Sequence, residues 1–490
     1  MNDCPQDKTT PSRRQRIGLW LGPALFILMQ WLPAPAGLEP AAWQVAALGL
    51  WMATWWISEA VPVPATALLP LVVFPLTGVS GIRDTAAPYA NPLIFLFMGG
   101  FVIALGMQRW SLHKRIALGI IDRVGTHPRG IILGFMVASA FLSLWVSNTA
   151  TALMMLPIGL SLISLTGPDT SEYTETQRNF TIALLLGIAY GCNIGGLGTL
   201  IGTPPNALLA AYLLETHGIQ IGFGQWMLLG LPLVMIGLPL AYLILTRWVY
   251  PVDPHELPGG QALIDREQRA LGPVSPEEKR IALVFMLTAA LWITRPWLSD
   301  WLPGLSDAGI AVAAATALFV IPAPGKGRAL LTWPELRDLP WGILLLFGGG
   351  LSLASAIGSS GLDEAIGRAV LAFESWPTVL LLALSVTVIL LLTEISSNTA
   401  TAAAFLPVLG AAAIGLGADP MLFAIPAALA ASCAFMLPVA TPPNAIVYGS
   451  GHLDVPTMAR AGLWLNALFV VLIVGAAYTL MVWVFGLNTY

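Results

Sequence analysis

Long apolar runs separated by short polar punctuation make up most of this 490-residue chain. With soft boundaries they span 17–38, 42–58, 62–80, 88–108, 130–165, 180–214, 222–249, 281–298, 304–322, 341–358, 376–416, 420–449 and 461–486. Runs of roughly 18 or more apolar residues are long enough to cross a bilayer as helices. The pattern therefore predicts an all-α polytopic membrane protein. Two runs, 130–165 and 376–416, are too long for one span, and both carry the pentapeptide SNTAT near their centre, at 147–151 and 397–401. A polar break at mid-membrane depth must be buried in protein or line a water-filled cavity. We read each as a re-entrant hairpin with Ser-Asn-Thr at its tip, which leaves 11 transmembrane helices.

Composition agrees with that class. The chain is 57% hydrophobic and only 10% charged, with a mean hydropathy of +0.78, where a soluble domain carries about a quarter charged residues. The first run is long and has no A-x-A-like cleavage site after it, so it reads as a span rather than a signal peptide. Charge sets the orientation. With the N-terminus inside, 19 of the 22 Lys and Arg fall on the cytoplasmic side, and only Arg83, Arg295 and Arg368 fall outside. The C-terminus is then outside. Val249 to Arg280, rich in Pro, Gly and charge, reads as a cytoplasmic linker with an amphipathic turn near Leu263–Leu271. Three cysteines give neither a disulfide framework nor a metal pair, and the five histidines show no metal spacing. No basic aromatic patch points to nucleic acid, and no P-loop points to ATP.

The linker divides the chain into two related halves. FMGGFVIA (97–104) matches FGGGLSLA (347–354), SNTAT matches SNTAT, and Thr-Pro-Pro-Asn at 203–206 matches 441–444. The order is the same and the offsets are 250, 250 and 238. By span count the first unit starts outside and the second inside, so the repeats are inverted. Inverted repeats with interrupted helices mark secondary transporters with a site at the repeat interface.

The motifs suit that task chemically. Each Pro of TPPN removes an N–H donor and disfavours the preceding turn, so 180–214 and 420–449 should unwind at mid-membrane. Unwinding frees carbonyls for a cation and creates a helix N-terminus that suits an anion. Ser and Asn are good N-caps, and their oxygens and N–H or O–H groups serve either ion. No Lys or Arg stands in the site, which predicts that co-bound cations neutralise a multivalent anion. Plainer readings stand beside these. Ser and Thr in membrane helices commonly bond to a neighbouring helix, Pro pairs mark simple kinks, and the FxGG motifs read as close helix packing. Glu394 is a functional candidate because it is ionisable inside the membrane, with a structural bond to the backbone as the alternative. A channel and an intramembrane enzyme are rival classes; neither an H-E-x-x-H nor a G-x-S-x-G motif supports the second.

At SNTAT (147–151), IGTPPN (201–206), TEISSNTAT (393–401) and LPVATPPNAIVYGSGHL (437–453) the chain resembles the divalent anion/sodium symporter family. The resemblance covers the whole membrane region. It implies a homodimer in the bacterial inner membrane, carrying C4-dicarboxylates such as succinate, malate or fumarate with Na⁺ by an elevator motion. Exchange, or Na⁺-coupled citrate or sulfate transport, are alternatives within the family. It also implies a division of the chain. Residues 1–16 are a cytoplasmic N-terminus, 17–128 and 281–358 form a scaffold, 129–250 and 376–490 form a transport domain, and 251–280 link them. One Na⁺ site would use Ser143, Ser147, Asn148 and the backbone at Gly202. A second would use Thr393, Asn398 and the backbone at Ser396 and Ala440. The substrate carboxylates would meet Ser147, Asn148, Thr149, Ser397, Asn398, Thr399, Thr441 and Pro442.

Overall fold

The computed structural model describes residues 12–124, 127–166, 174–253 and 260–487. Helices dominate; the one strand pair among these residues is a two-residue antiparallel ribbon, Pro322–Ala323 with Arg328–Ala329. Among the described residues, eight helices are long and apolar enough to cross a membrane, and five shorter apolar helices accompany them.

Both long SNTAT runs fold back on themselves. Pro128–Ser143 and Asn148–Ile163 form the first hairpin, and Thr378–Ile395 and Asn398–Gly415 the second. The Ser of each SNT is the N-cap of the returning arm, at Ser147 and Ser397. The two TPPN segments also break their helices. Glu175–Gly196 resumes as Pro204–His217, and Met421–Ala431 resumes as Pro442–Tyr448. Each resuming helix carries Pro in its first turn, where the missing N–H has no intrahelical partner to lose.

Glycine lets the first hairpin sit directly on its broken helix. A Cβ at Gly191 would lie 2.7 Å from the Met136 carbonyl, and one at Gly195 would collide with the Ala140 backbone. Glu175–Gly196 is accordingly 94% buried in its most apolar window, against 17% for Pro276–Leu298 at the perimeter. The FxGG motifs pack as expected: Gly99 meets Ala311, where a Cβ would lie 2.6 Å from its backbone, and Gly349 meets Ala67. Two amphipathic helices, Leu112–Val124 and Leu362–Val370, lie against the hairpins through Gly134 on Ile121 and Gly367 on Gly415.

Several expected single spans are interrupted. The run 62–80 is two helices, Val63–Thr66 and Leu69–Thr77, because Pro64 and Pro70 each restart the turn. The last run is Val455–Ala477 followed by Leu480–Phe485. The linker turn is a full helix, Gly260–Leu271; residues 254–259 of the linker lie outside the described set.

Candidate functional site

The two hairpin tips and the two helix breaks meet at one cavity of about 660 Å³, within the usual size of a small-molecule site. Ser147, Asn148 and Thr149 line it from one tip, and Ser397, Asn398 and Thr399 from the other. Gly202, Ala440, Thr441 and Pro442 join them from the breaks, and Phe101 and Leu346 form apolar wall. Four helices begin here: Asn148–Ile163, Pro204–His217, Asn398–Gly415 and the short Pro442–Tyr448. Their unpaired N–H groups and positive dipole ends favour an anion between them.

Behind the first tip the arrangement suits a cation. Ser143 Oγ and Asn148 Oδ1 are buried without an oxygen or nitrogen partner, Ser143 lying beside the Cys192 thiol. A Cβ at Gly196 would lie 3.1 Å from both the Asn148 amide and the Gly202 carbonyl, so those groups face one small space. Ser147 Oγ, by contrast, accepts from Ala150 N at 3.3 Å as a helix cap. Buried oxygens left unpaired cost about 1–3 kcal/mol each, and a coordinated ion would remove that cost.

Behind the second tip the corresponding groups bond to one another. Thr393 Oγ1 lies 2.6 Å from Asn398 Oδ1 and 2.8 Å from the Ala431 carbonyl, two acceptors that share its one hydrogen. Ser396 Oγ lies 3.0 Å from the Leu392 carbonyl and 2.6 Å from Thr401 Oγ1. Ala440 N donates to the Leu437 carbonyl at 3.2 Å.

Glu394 takes the structural alternative. Its carboxylate accepts from the backbone N–H of Phe435, Met436 and Leu437 at 2.8–3.1 Å and from Asn466 Nδ2 at 2.8 Å. It braces the unwound stretch and is absent from the cavity wall. The first break is braced without charge. Asn206 Nδ2 donates to the Gly196 and Thr199 carbonyls at 3.1 and 2.8 Å, and Trp226 Nε1 to Leu197 at 3.0 Å.

Two lining residues escape motif reading. Asn193, in Glu175–Gly196, is buried and faces the cavity; the signal was an amide inside an otherwise apolar span. Glu59 stands exposed at the mouth, the only charged residue among those that line the cavity. It holds a left-handed backbone, φ 51° and ψ 34°, at the end of Pro40–Ser58. Trp145, beside the first tip, packs on Phe223 and Phe285, and Phe223 stacks on Trp292 at 4.3 Å.

The fold is similar to that of two solved transporters. One is the YdaH transporter of Alcanivorax borkumensis, with a TM-score of 0.59 at 16% identity over 97% of this chain and 99% of that one. The other is MtrF of Neisseria gonorrhoeae, with 0.55 at 11% identity over 98% and 97%. Relatives in sequence are nearer. A protein of Staphylococcus saprophyticus named sodium-dependent dicarboxylate transporter SdcS is 44% identical over 484 residues, 97% of this chain and 93% of its own length. Its namesake in Staphylococcus aureus strain USA300 is 42% identical over 485 residues with the same coverage. The model of the sodium:sulfate symporter transmembrane region matches residues 15–487. A match of that extent, joined to nearly full-length relatives, means that the chain belongs to the sodium:sulfate symporter family.

Proposed function

We propose that this protein carries C4-dicarboxylates, such as succinate, malate or fumarate, across the bacterial inner membrane in symport with Na⁺. The observation that supports this most is a cavity lined by no Lys or Arg. Helix N-termini and hydroxyl and amide donors face it, while buried oxygens of Ser143 and Asn148, with no oxygen or nitrogen partner, lie just behind. A dianion without a Lys or Arg partner needs positive charge from elsewhere, and bound Na⁺ supplies it. The relatives named for sodium-dependent dicarboxylate transport point the same way.

In this reading Ser143, Ser147, Asn148 and the Gly202 carbonyl hold one Na⁺. Thr393, Asn398 and the backbone at Ser396 and Ala440 hold the second. Ser147, Asn148, Thr149, Ser397, Asn398, Thr399, Thr441 and Pro442 take the carboxylates. Residues 17–128 and 281–358 act as a scaffold within a homodimer, and 129–250 and 376–490 slide against it as an elevator, carrying the site across. With the N-terminus in the cytoplasm, Glu59, Pro64, Pro340 and Gly342 lie at cytoplasmic ends, so the described state opens inward. Succinate uptake into proteoliposomes is expected to collapse when inward Na⁺ is replaced by K⁺ or choline; uptake that persists unchanged would remove the coupling.

A further inference from the structure

Asn193 sits where the two halves touch. Its Nδ2 reaches the Ala434 carbonyl at 3.3 Å, Thr441 Oγ1 at 3.1 Å and Asn444 Oδ1 at 3.3 Å. The direction of this contact is fixed by its neighbours. A backbone carbonyl can only accept. Asn444 donates its own amide to the Ala434 and Leu437 carbonyls at 3.2 and 3.1 Å, so its Oδ1 also faces Asn193 as an acceptor. The amide has two hydrogens for these three acceptors and its nitrogen cannot accept, so in the contact with Thr441, the shortest of the three, Asn193 is the donor.

Thr441 Oγ1 accepts a second bond, from Asn444 N at 3.3 Å. A hydroxyl has two lone pairs and one hydrogen. With both lone pairs engaged, the hydrogen is all that Thr441 has left to offer, and Thr441 lines the cavity. We propose that Asn193 is a positioning residue that commits the Thr441 hydroxyl to donate to the substrate carboxylate. This rests on the reading that Thr441 contacts substrate. The corresponding Thr203 of the first half has no such arrangement: it makes no cap bond, and its Oγ1 lies 3.4 Å from Ser432 Oγ, where either atom can donate. An oxygen held as a donor selects for an anion and against a cation, so Asn193 lends the second break a polarity its counterpart lacks.

A cycle of Asn193→Ala, Thr441→Val and the double variant tests this, with succinate KM and Na⁺ half-saturation read in proteoliposomes of folded protein. Each single change is expected to raise succinate KM about tenfold, the worth of one hydrogen bond to a charged group. The double variant is expected to do no worse than either, with Na⁺ half-saturation within about twofold of the parent. Merely structural damage to the stretch holding Ala440 and Asn444 would shift Na⁺ half-saturation as well. If Asn193→Ala does not fold, Asn193→Leu, which keeps the volume, takes its place in the same cycle. A KM unchanged in Thr441→Val overturns the site reading and this inference with it. A normal KM at position 193, independent multiplication of the two effects, or a parallel shift in Na⁺ half-saturation overturns the inference alone.

Discussion

The two helix breaks share the letters Thr-Pro-Pro-Asn, and the two hairpin tips share Ser-Asn-Thr-Ala-Thr, yet they differ in how their polar atoms are satisfied. In the first half Ser143 Oγ, Asn148 Oδ1 and Asn206 Oδ1 are buried with no oxygen or nitrogen partner. In the second half Thr393 bonds to Asn398 and Ala431, and Thr441 accepts from Asn193 and Asn444. At the first tip the Asn148 oxygen is open; at the second the Asn398 oxygen is closed on Thr393. The first break is held by a neutral amide, and the second by a carboxylate gripping three consecutive N–H groups. A duplicated motif therefore marks where two sites are, without making them chemically alike. In the proposed reading, the first site is ready for a cation, whereas a cation at the second must first separate Thr393 from Asn398.

The largest effects are expected at Asn148 and Asn398, the two residues that the proposed reading sets against both ions. Asn148→Ala and Asn398→Ala should each abolish uptake, a loss of more than about 100-fold, because each removes a cation oxygen and a carboxylate donor together. Both proteins should still elute from size exclusion as folded material. Near-normal uptake in either would take that residue out of the site and erase the comparison on its side.

The next effect separates the braces. Glu394→Gln keeps one acceptor oxygen but turns an amide toward backbone N–H groups, and should cost about 3 kcal/mol. In the first half, Asn206→Leu removes a neutral brace and should cost about 1 kcal/mol. Thermal unfolding in detergent reads both. Equal losses would mean that the charge on Glu394 adds nothing to its hydrogen bonds.

A subtler pair of variants sharpens the contrast between open and closed oxygens. Ser143→Ala removes an oxygen whose neighbour is the weakly bonding Cys192 thiol, so the Na⁺-free protein should melt close to the parent. Its Na⁺ half-saturation should nevertheless rise about tenfold, and the rise in Tm on adding Na⁺ should shrink accordingly. Thr393→Ala breaks bonds that already exist, so its Tm should fall by several degrees even without Na⁺. If the two behaved alike in Na⁺-free buffer, the distinction between the halves would be lost.

Much of this was legible from the chain. Apolar run length and the mid-run SNT set out the hairpins, and paired prolines set out the breaks, because both rest on local rules that tertiary context rarely overrides. The FxGG glycines were readable as packing for the same reason. Satisfaction of polar atoms was not legible. Whether Thr393 bonds to Asn398 depends on how the hairpin tip turns and on the Ala431 carbonyl brought in from another helix. Asn193 escaped because its partners, Thr441 and Asn444, belong to the other half. The interruption before Leu69 turns on Pro64 and Pro70, and the one before Leu480 on Tyr478 and Thr479; single residues of this kind do not divide an apolar run when run length alone is read.

The smallest effect lies at the mouth, where the asymmetry between the halves continues. Glu59 is the only charge among the lining residues, and across from it Pro340 and Gly342 are neutral. Its left-handed backbone is a conformation that glycine takes without strain and that costs other residues about 1 kcal/mol, so Glu is held there against local preference. A lone carboxylate at the entrance raises local Na⁺ and lowers local dicarboxylate. Glu59→Gln should therefore tighten succinate binding from the side to which the cavity opens by about two- to threefold at low ionic strength. Exposed charges are screened beyond a Debye length of about 3 Å at 1 M salt. The difference between parent and variant should accordingly vanish when choline chloride is raised at constant Na⁺. A gain that survived high salt would mean that Glu59 acts by shaping the mouth, and the charge asymmetry would then end at the two breaks.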